Sequence, residues 1–533
     1  MRPGESDSRA FDISELSPAA FAHAVTRMRV IETHISWIVL TGQYAYKIKK
    51  PVRFDFLDAS SLERRRALCD EELRLNRRLA PDLYIDVLPV TRRDGQLRIG
   101  GHGPAVEYAV RMHEFDPDQE LSSQLAAGAV VPDEMATFAR ALADFHRHAA
   151  VAAPESSLGD VAGVRGQMLD NMTVLEQHAD ATQDLAAIRG LDDWLRRALI
   201  HLAAPISERK RAGAVRECHG DLHARNIVRW RDRWMAFDCI EFNPELRWID
   251  VMSDVAFLYM DLAAHARHDL AHAFLSGYLE ETGDYQGLRL LPLYAVYRAL
   301  VRAKIDALAA RSAAIESAQA LRAREAQRID VALELTGARQ PALLITHGFT
   351  ASGKSWLSER LVPTVDAVRI RADLERKRLA GMEPLEASHS GVGEKLYAAE
   401  VTDRVYARLR ECAESALAAG FNVVVDASFL RAAQRERFRQ LAIERHVPFL
   451  ILSCQADAAT LHARLETRAR AGRDPSEATH AVLGHQLATA EPLTATEQEQ
   501  ALVIDTNWVT GADAGLEAVR VRLRADVRAS LIR

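Results

Sequence analysis

Apolar and polar positions alternate in the early part of the chain. "SWIVLTGQYAYKIKKPV", Ser36 to Val52, reads as two β-runs joined at Thr41-Gly42-Gln43, a hairpin signal. "SLERRRALCDEELRLNRRLA" then takes on helical periodicity and opens with a serine suited to capping. "LYIDVLPVTRRDGQLRIGG" and "AVEYAVRMHEF" return to strands, with Asp94-Gly95 as a turn. From Val131 to about Leu202 the pattern is mostly helical. "ECHGDLHARNIVRWRDRWMAFDCIEF" interrupts it with short strands and polar loops. Beyond Ile249 the chain is helical again and ends in an Ala/Arg-rich helical segment, Tyr297 to Leu335.

Gly337 and Pro341 stop that segment, one as a C-cap and one as a breaker. The expected boundary lies there, giving domains 1–338 and 339–533. After it, the short apolar runs "ALLITHG", "AVRIRAD", "FNVVVDAS", "PFLILSC" and "ALVIDT" alternate with helical stretches. Apolar strands separated by helices predict a parallel five-stranded sheet covered on both faces.

With 533 residues, the chain exceeds one ordinary core, which agrees with two domains. Its 48% hydrophobic and 27% charged residues are those of a soluble globular protein. A net charge of -6 creates no general field for nucleic acid or acidic membranes. The five cysteines are scattered without metal-ligand spacing, which reads as a reducing compartment without structural zinc. The N-terminus lacks an apolar signal region, and no run of ~18 apolar residues occurs. A cytoplasmic protein without membrane insertion is expected.

Candidate chemistry changes this plain picture. "GFTASGKS", Gly348 to Ser355, fits G-x-x-x-x-G-K-[ST] and stands between a strand and a helical stretch. In that setting Gly348, Ser352 and Gly353 let backbone N–H groups converge on phosphate oxygens. Lys354 would reach the β/γ-phosphates and Ser355 would ligate Mg²⁺. Asp373 and Arg376 follow the second strand in D-x-x-R spacing. They could act as a base for an acceptor hydroxyl and a phosphate holder, or form a solvated i,i+3 ion pair. Asp426 ends the strand "FNVVVD", where it would support the Mg²⁺ shell or cap a helix. Arg464, Arg468, Arg470 and Arg473 follow the fourth strand, where they could form a lid over a triphosphate or simply a charged helical face. Together these elements resemble the small P-loop kinases, especially the branch of polynucleotide 5'-kinases, zeta-type toxins and gluconate-kinase-like enzymes. That resemblance implies a P-loop NTPase α/β fold over Pro341 to about Thr506, with Asp373 as catalytic base.

A second constellation is "HGDLHARN", His219 to Asn226, followed by Asp238 in "FDCIEF". One carboxylate to deprotonate an acceptor, then an amide and a second carboxylate on Mg²⁺, make up a kinase set. The region from about Ser36 to Leu335 resembles the aminoglycoside phosphotransferases, which have the two-lobed protein-kinase-like fold. The resemblance implies Asp221 as base, Asn226 and Asp238 as metal ligands, and His223 as a residue shaping the loop. It also implies Asp250 and Asp254 as braces of that loop, Asp250 being open to a helix-surface reading. A lysine for the phosphates would be Lys47 or Lys49, and Lys47 is preferred for its A-x-K setting, although either could instead be plain surface charge. Its helix partner would be Glu71 or Glu72, with Glu72 preferred. No G-x-G-x-x-G precedes the lysine; Thr41-Gly42-Gln43 occupies the turn. Met112 to Glu114 would form the hinge that reads adenine.

The fold expected is thus mixed, α+β then α/β: a two-lobed kinase-like domain followed by a P-loop domain. The expected activity is ATP- and Mg²⁺-dependent phosphotransfer at two sites to hydroxylated small molecules. Two alternatives are a nucleotide-gated regulatory protein with one inactive domain and a C-terminal polynucleotide 5'-hydroxyl kinase. The acidic balance argues against nucleic acid as the partner. Neither the acceptors nor the oligomeric state can be read from the residues.

Overall fold

The computed structural model describes residues 11–54, 57–179, 182–337, 339–383, 386, 398–471, 479–507 and 509–531. In chain order the first strands are β1 (Arg29–Glu32), β2 (Ser36–Leu40), β3 (Tyr44–Lys49), β4 (Arg53–Phe54) and β5 (Leu57–Asp58). Helix α1 (Leu62–Asn76) is followed by β6 (Tyr84–Arg93), β7 (Gln96–Ile99) and β8 (Ala105–His113). A helical stretch comes next: α2 (Leu121–Ala126), α3 (Pro132–His148), α4 (Val161–His178), α5 (Thr182–His201) and α6 (Ala203–Arg211). Short strands β9 (Val215–Glu217), β10 (Ile227–Trp230), β11 (Arg233–Ala236) and β12 (Trp248–Asp250) surround α7 (Pro244–Arg247). Then come α8 (Val251–Ala264), α9 (His268–Thr282), α10 (Leu291–Ser312) and α11 (Ile315–Thr336).

The remainder alternates strand and helix. Its strands are β13 (Leu343–His347), β14 (Ala367–Arg371), β15 (Asn422–Asp426), β16 (Phe449–Gln455) and β17 (Ala501–Asp505). Its helices are α12 (Lys354–Thr364), α13 (Ala372–Leu379), α14 (Ala399–Ala418), α15 (Ala432–Arg445), α16 (Ala458–Ala471), α17 (His480–Thr489), α18 (Ala495–Glu499) and α19 (Val509–Leu531).

Two compact units emerge. One holds the described residues up to Val130, Asp144–Gly166 and Ile206–Leu258; the other holds Val131–Ala143, Gln167–Pro205 and Tyr259 onward. In the first, six antiparallel strands lie in the order β1-β2-β3-β8-β6-β7. Val39, Tyr46, Ile48, Val90 and Ala109 form one core cluster of that unit, and Ala45, Cys69, Leu83, Tyr84 and Val110 belong to another. The expected hairpin turn forms, with Gly42 at φ +93°, a left-handed conformation that costs glycine little. Ser61 caps α1 by accepting from the Arg64 N–H at 3.3 Å. The edge strand β1 was missed in the sequence because "RVIE" is short and mostly exposed.

In the second unit the five strands are all parallel, in the order β14-β15-β13-β16-β17. β13 and β15 are buried nearly throughout, as their unbroken apolar runs require. The Ala/Arg-rich segment expected as one helical run is two helices. Ala313 and Ala314 are both extended, and α11 folds back so that Arg324 Nε donates to Asp306 Oδ1 at 3.3 Å. Ser312-Ala313-Ala314 contains no helix breaker, so packing rather than propensity sets this break.

Candidate functional site

The first constellation is built on β3 and α1. Alternation along β3 places Lys47 and Lys49 on one face, and both are buried. Lys47 Nζ lies 2.9 Å from Glu72 Oε1 and 2.5 Å from Asp238 Oδ1. Lys49 Nζ lies 2.5 Å from Glu72 Oε2 and also pairs with Glu241. Glu72 therefore serves both lysines, whereas Glu71 pairs with Arg74 and Arg247, each at 2.7 Å. Burial opposes the Glu72 charge, but Lys47 and Lys49 outweigh it and hold the carboxyl at about 2. Burial likewise opposes the Lys47 ammonium, and Asp238 and Glu72 overcome it, raising its pKa.

The polar loop between β9 and β10 carries the other residues. Asn226 Nδ2 donates to both the backbone oxygen and Oδ2 of Asp221, at 3.0 Å each. Asp238 adopts φ +64°, and its N–H donates to the Tyr84 hydroxyl at 3.3 Å. Asp254 accepts from the N–H groups of His219 and Gly220 at 2.9 and 3.0 Å, and lies 3.2 Å from His146 Nε2. Asp250 is not on a helix surface: it ends β12, is buried, and accepts from Arg209 Nε and Nη2 at 2.7 Å.

Sequence reasoning passed over His219. Burial lowers its pKa and keeps it neutral. The Phe237 carbonyl at 2.9 Å can only accept, so Nε2 carries the proton and Nδ1 accepts from the Asp221 N–H at 3.3 Å. One ring thus ties the loop to the strand end that leads to Asp238. Similarly, His223 Nδ1 accepts from the Arg225 N–H, which leaves Nε2–H to face Asp221 Oδ2 at 3.3 Å. The turn Thr41–Gln43 has an unexpected partner. Glu114 Oε2 accepts from the Thr41 and Gly42 N–H groups at 2.9 and 2.6 Å, so this turn lies beside the expected hinge residues.

The second constellation follows from the parallel sheet, which brings the C-terminal ends of β13, β14 and β15 to one edge. Gly348 adopts φ +146°, and a Cβ there would sit 2.6 Å from both the Cys454 carbonyl and Ser352 Oγ. Gly353, at φ +82°, is the N-cap of α12. Ser352 Oγ is buried and has no hydrogen-bond partner among the described residues. Lys354 Nζ curls back to donate to the Phe349 carbonyl at 2.6 Å. Burial lowers its pKa, against the pull of Asp426 and Asp373; Arg468 also acts on it electrostatically. Asp426 ends β15 and accepts from Ser358 Oγ at 3.1 Å, while the Ser355 carbonyl accepts from Arg369 Nη1 at 3.1 Å. Arg376 Nη1 donates to Thr402 Oγ1 at 3.3 Å, and Arg464 Nη1 donates to the Ala351 carbonyl of the loop at 3.3 Å. Arg470 instead is exposed and pairs with Glu466. Arg473 lies outside the described residues.

Most residues of both constellations fall within segments that match known families. Residues 49–291 match the model of the phosphotransferase enzyme family, and residues 343–493 match an AAA domain model of P-loop, kinase-like type. The chain joins a phosphotransferase-type domain to a P-loop kinase-like domain. Uncharacterized proteins of Mycobacterium tuberculosis strain H37Rv and Mycobacterium bovis are each 29% identical to it over 483 residues, 88% of this chain and 95% of theirs. Among solved structures, an aminoglycoside phosphotransferase from Alicyclobacillus acidocaldarius is 14% identical with a TM-score of 0.38. That match covers 62% of this chain and 96% of the other. A gluconokinase from Sinorhizobium meliloti is 21% identical with a TM-score of 0.25, covering 35% and 97%. Among the described residues, no helix is long and apolar enough to cross a membrane.

Proposed function

We propose that the chain is an ATP-dependent phosphotransferase with two catalytic sites, divided near Gly337, each moving a γ-phosphate to a hydroxyl of a small-molecule acceptor. One observation carries this reading: each of two separate constellations gathers a lysine, an acidic base candidate and oxygen ligands for a hard cation.

The residues fit ATP and Mg²⁺ at both places. In the P-loop domain, a buried hydroxyl at Ser352, unpartnered among the described residues, and a glycine that leaves no room for Cβ line a cradle for an anion. Lys354, resting on a neutral carbonyl, is the cation to meet it. In the phosphotransferase-type domain, two ammonium groups, Lys47 and Lys49, face three carboxylates, Glu72, Asp238 and Glu241. That excess of negative charge suits a divalent cation held by Asn226 and Asp238. Ser355 and Asp426 would hold the other. Bound Mg²⁺ would neutralise charge on the phosphate oxygens. Lys47, positioned by Glu72, and Lys354 would orient the phosphates, with Arg464 and Arg468 adding positive charge near the P-loop. Asp221 would take the acceptor proton in one site, its carboxylate aimed by Asn226 and His223. Asp373 would do so in the other, with Arg376 beside it.

The test is transfer from γ-labelled ATP into a pool of small metabolites. Asp221→Ala and Lys354→Ala should each remove one set of labelled products, and the double variant should remove all. Should Asp221→Ala spare every product, the N-terminal domain does not turn over. One observation favours that second reading, a nucleotide-gated regulatory domain: Lys47 is already engaged by Asp238, the carboxylate that the first reading gives to the cation.

A further inference from the structure

Glu280 lies on α9, inside the segment matched by the phosphotransferase family model, yet its carboxylate contacts the P-loop domain. Its Oε1 accepts from Arg369 Nε at 2.7 Å and its Oε2 from Arg369 Nη2 at 3.0 Å. Arg371 Nη1 is 4.0 Å from the same carboxylate. β14, which carries both arginines, is an edge strand, and residues of α9 and of the segment after it cover its backbone. Ser276 Oγ accepts from the Arg369 N–H at 3.0 Å, and the Tyr285 hydroxyl donates to the Arg369 carbonyl at 2.8 Å. From Arg369, Nη1 continues to the Ser355 carbonyl, and Arg371 Nε reaches to 3.9 Å from Asp426 Oδ2. The helix that carries Asp373 and Arg376 is held from the same side. Arg378 Nη2 donates to the Glu280 carbonyl at 2.7 Å, and Arg408 Nη2 to the Gly283 carbonyl at 3.1 Å. Arg408 also pairs with Glu375 of α13 at 3.1 Å. All these residues belong to the second compact unit.

We propose that Glu280 is a positioning residue for the cation ligands Ser355 and Asp426, so that α9 completes the P-loop site. This rests on the reading of those two residues as Mg²⁺ ligands. Arg369 is a buried guanidinium and requires a compensating anion. Glu280 supplies it. Without Glu280, the uncompensated positive charge would act on Asp426, the next carboxylate in electrostatic reach, and compete with the metal for it. The two kinase-type domains are therefore not interchangeable cassettes: the P-loop site uses a residue that the family match assigns to the other.

The test is calorimetric ATP binding to the full chain, with and without Mg²⁺, the P-loop site being the component lost in Lys354→Ala. Glu280→Gln should weaken Mg²⁺ binding at that site by about tenfold. In EDTA, ATP should bind as tightly or tighter, because a negative charge has gone; a merely structural role would weaken both. Glu280→Gln combined with Arg369→Gln removes both charges, is the better folded fallback, and should restore Mg²⁺ affinity. Unchanged Mg²⁺ affinity in Glu280→Gln, or equal loss in the double variant, overturns the proposal. If Lys354→Ala removes no binding component, the reading of the site itself fails and the proposal falls with it.

Discussion

Glu72 offers a direct quantitative check, because two buried ammonium groups converge on one carboxylate. Its carboxyl is held at about 2 against an ordinary value of 4.5. At roughly 1.4 kcal/mol for each factor of ten, that preference stabilises the folded state by roughly 3 kcal/mol at neutral pH. The raised pKa values of Lys47 and Lys49 express the same attraction from the other side and are not added to it. Glu72→Gln keeps the shape and removes the charge. Lys49 retains Glu241 and Lys47 retains Asp238, so local opening rather than complete unfolding is expected. Hydrogen exchange followed by mass spectrometry should show amides of α1 and β3 exchanging about 100-fold faster in the variant. The pH dependence has a defined sign. A carboxyl lowered on folding contributes fully above its unfolded value of 4.5, and the contribution fades as pH falls toward about 2. The gap between wild type and variant should thus be constant from neutral pH to just above 4.5 and shrink below it. A difference in exchange of less than about threefold at neutral pH would refute the argument, since it would mean the two lysines do not depend on Glu72.

Two further predictions concern the P-loop domain. Gly353→Ala should abolish ATP binding at this site in calorimetry, because residue 353 needs φ +82° and a Cβ would press within 3.1–3.4 Å of Thr506. Arg435→Met should lower the thermal unfolding midpoint of the domain and cost about 3–5 kcal/mol, because it leaves Glu497 without the guanidinium that donates to both its oxygens at 2.6 and 3.0 Å.

Much of this molecule is legible in its residues. The apolar runs "ALLIT" and "FNVVVD" can only be satisfied by burial on both faces, so a parallel sheet follows from pattern alone. The turn at Gly42 and the glycines of "GFTASGKS" are equally local, because they answer to backbone conformation. Alternation likewise placed Lys47 and Lys49 together. It could not choose between Glu71 and Glu72, which are neighbours on a helix whose rotation is set by packing against the sheet. The break at Ala313 was invisible for a related reason: alanine continues a helix by preference, and the fold-back is imposed by the partner helix.

What only the tertiary structure decided are the charges that meet across long sequence separations. Glu241 reaches Lys49, Asp254 braces His219, Glu114 holds the turn at Gly42, and Glu280 compensates Arg369. None of these pairs shares a motif or a period. Hydrophobic patterning is read residue by residue, because water is everywhere the same. A buried charge must find its counter-charge wherever the fold brings one, and that choice exists only in three dimensions.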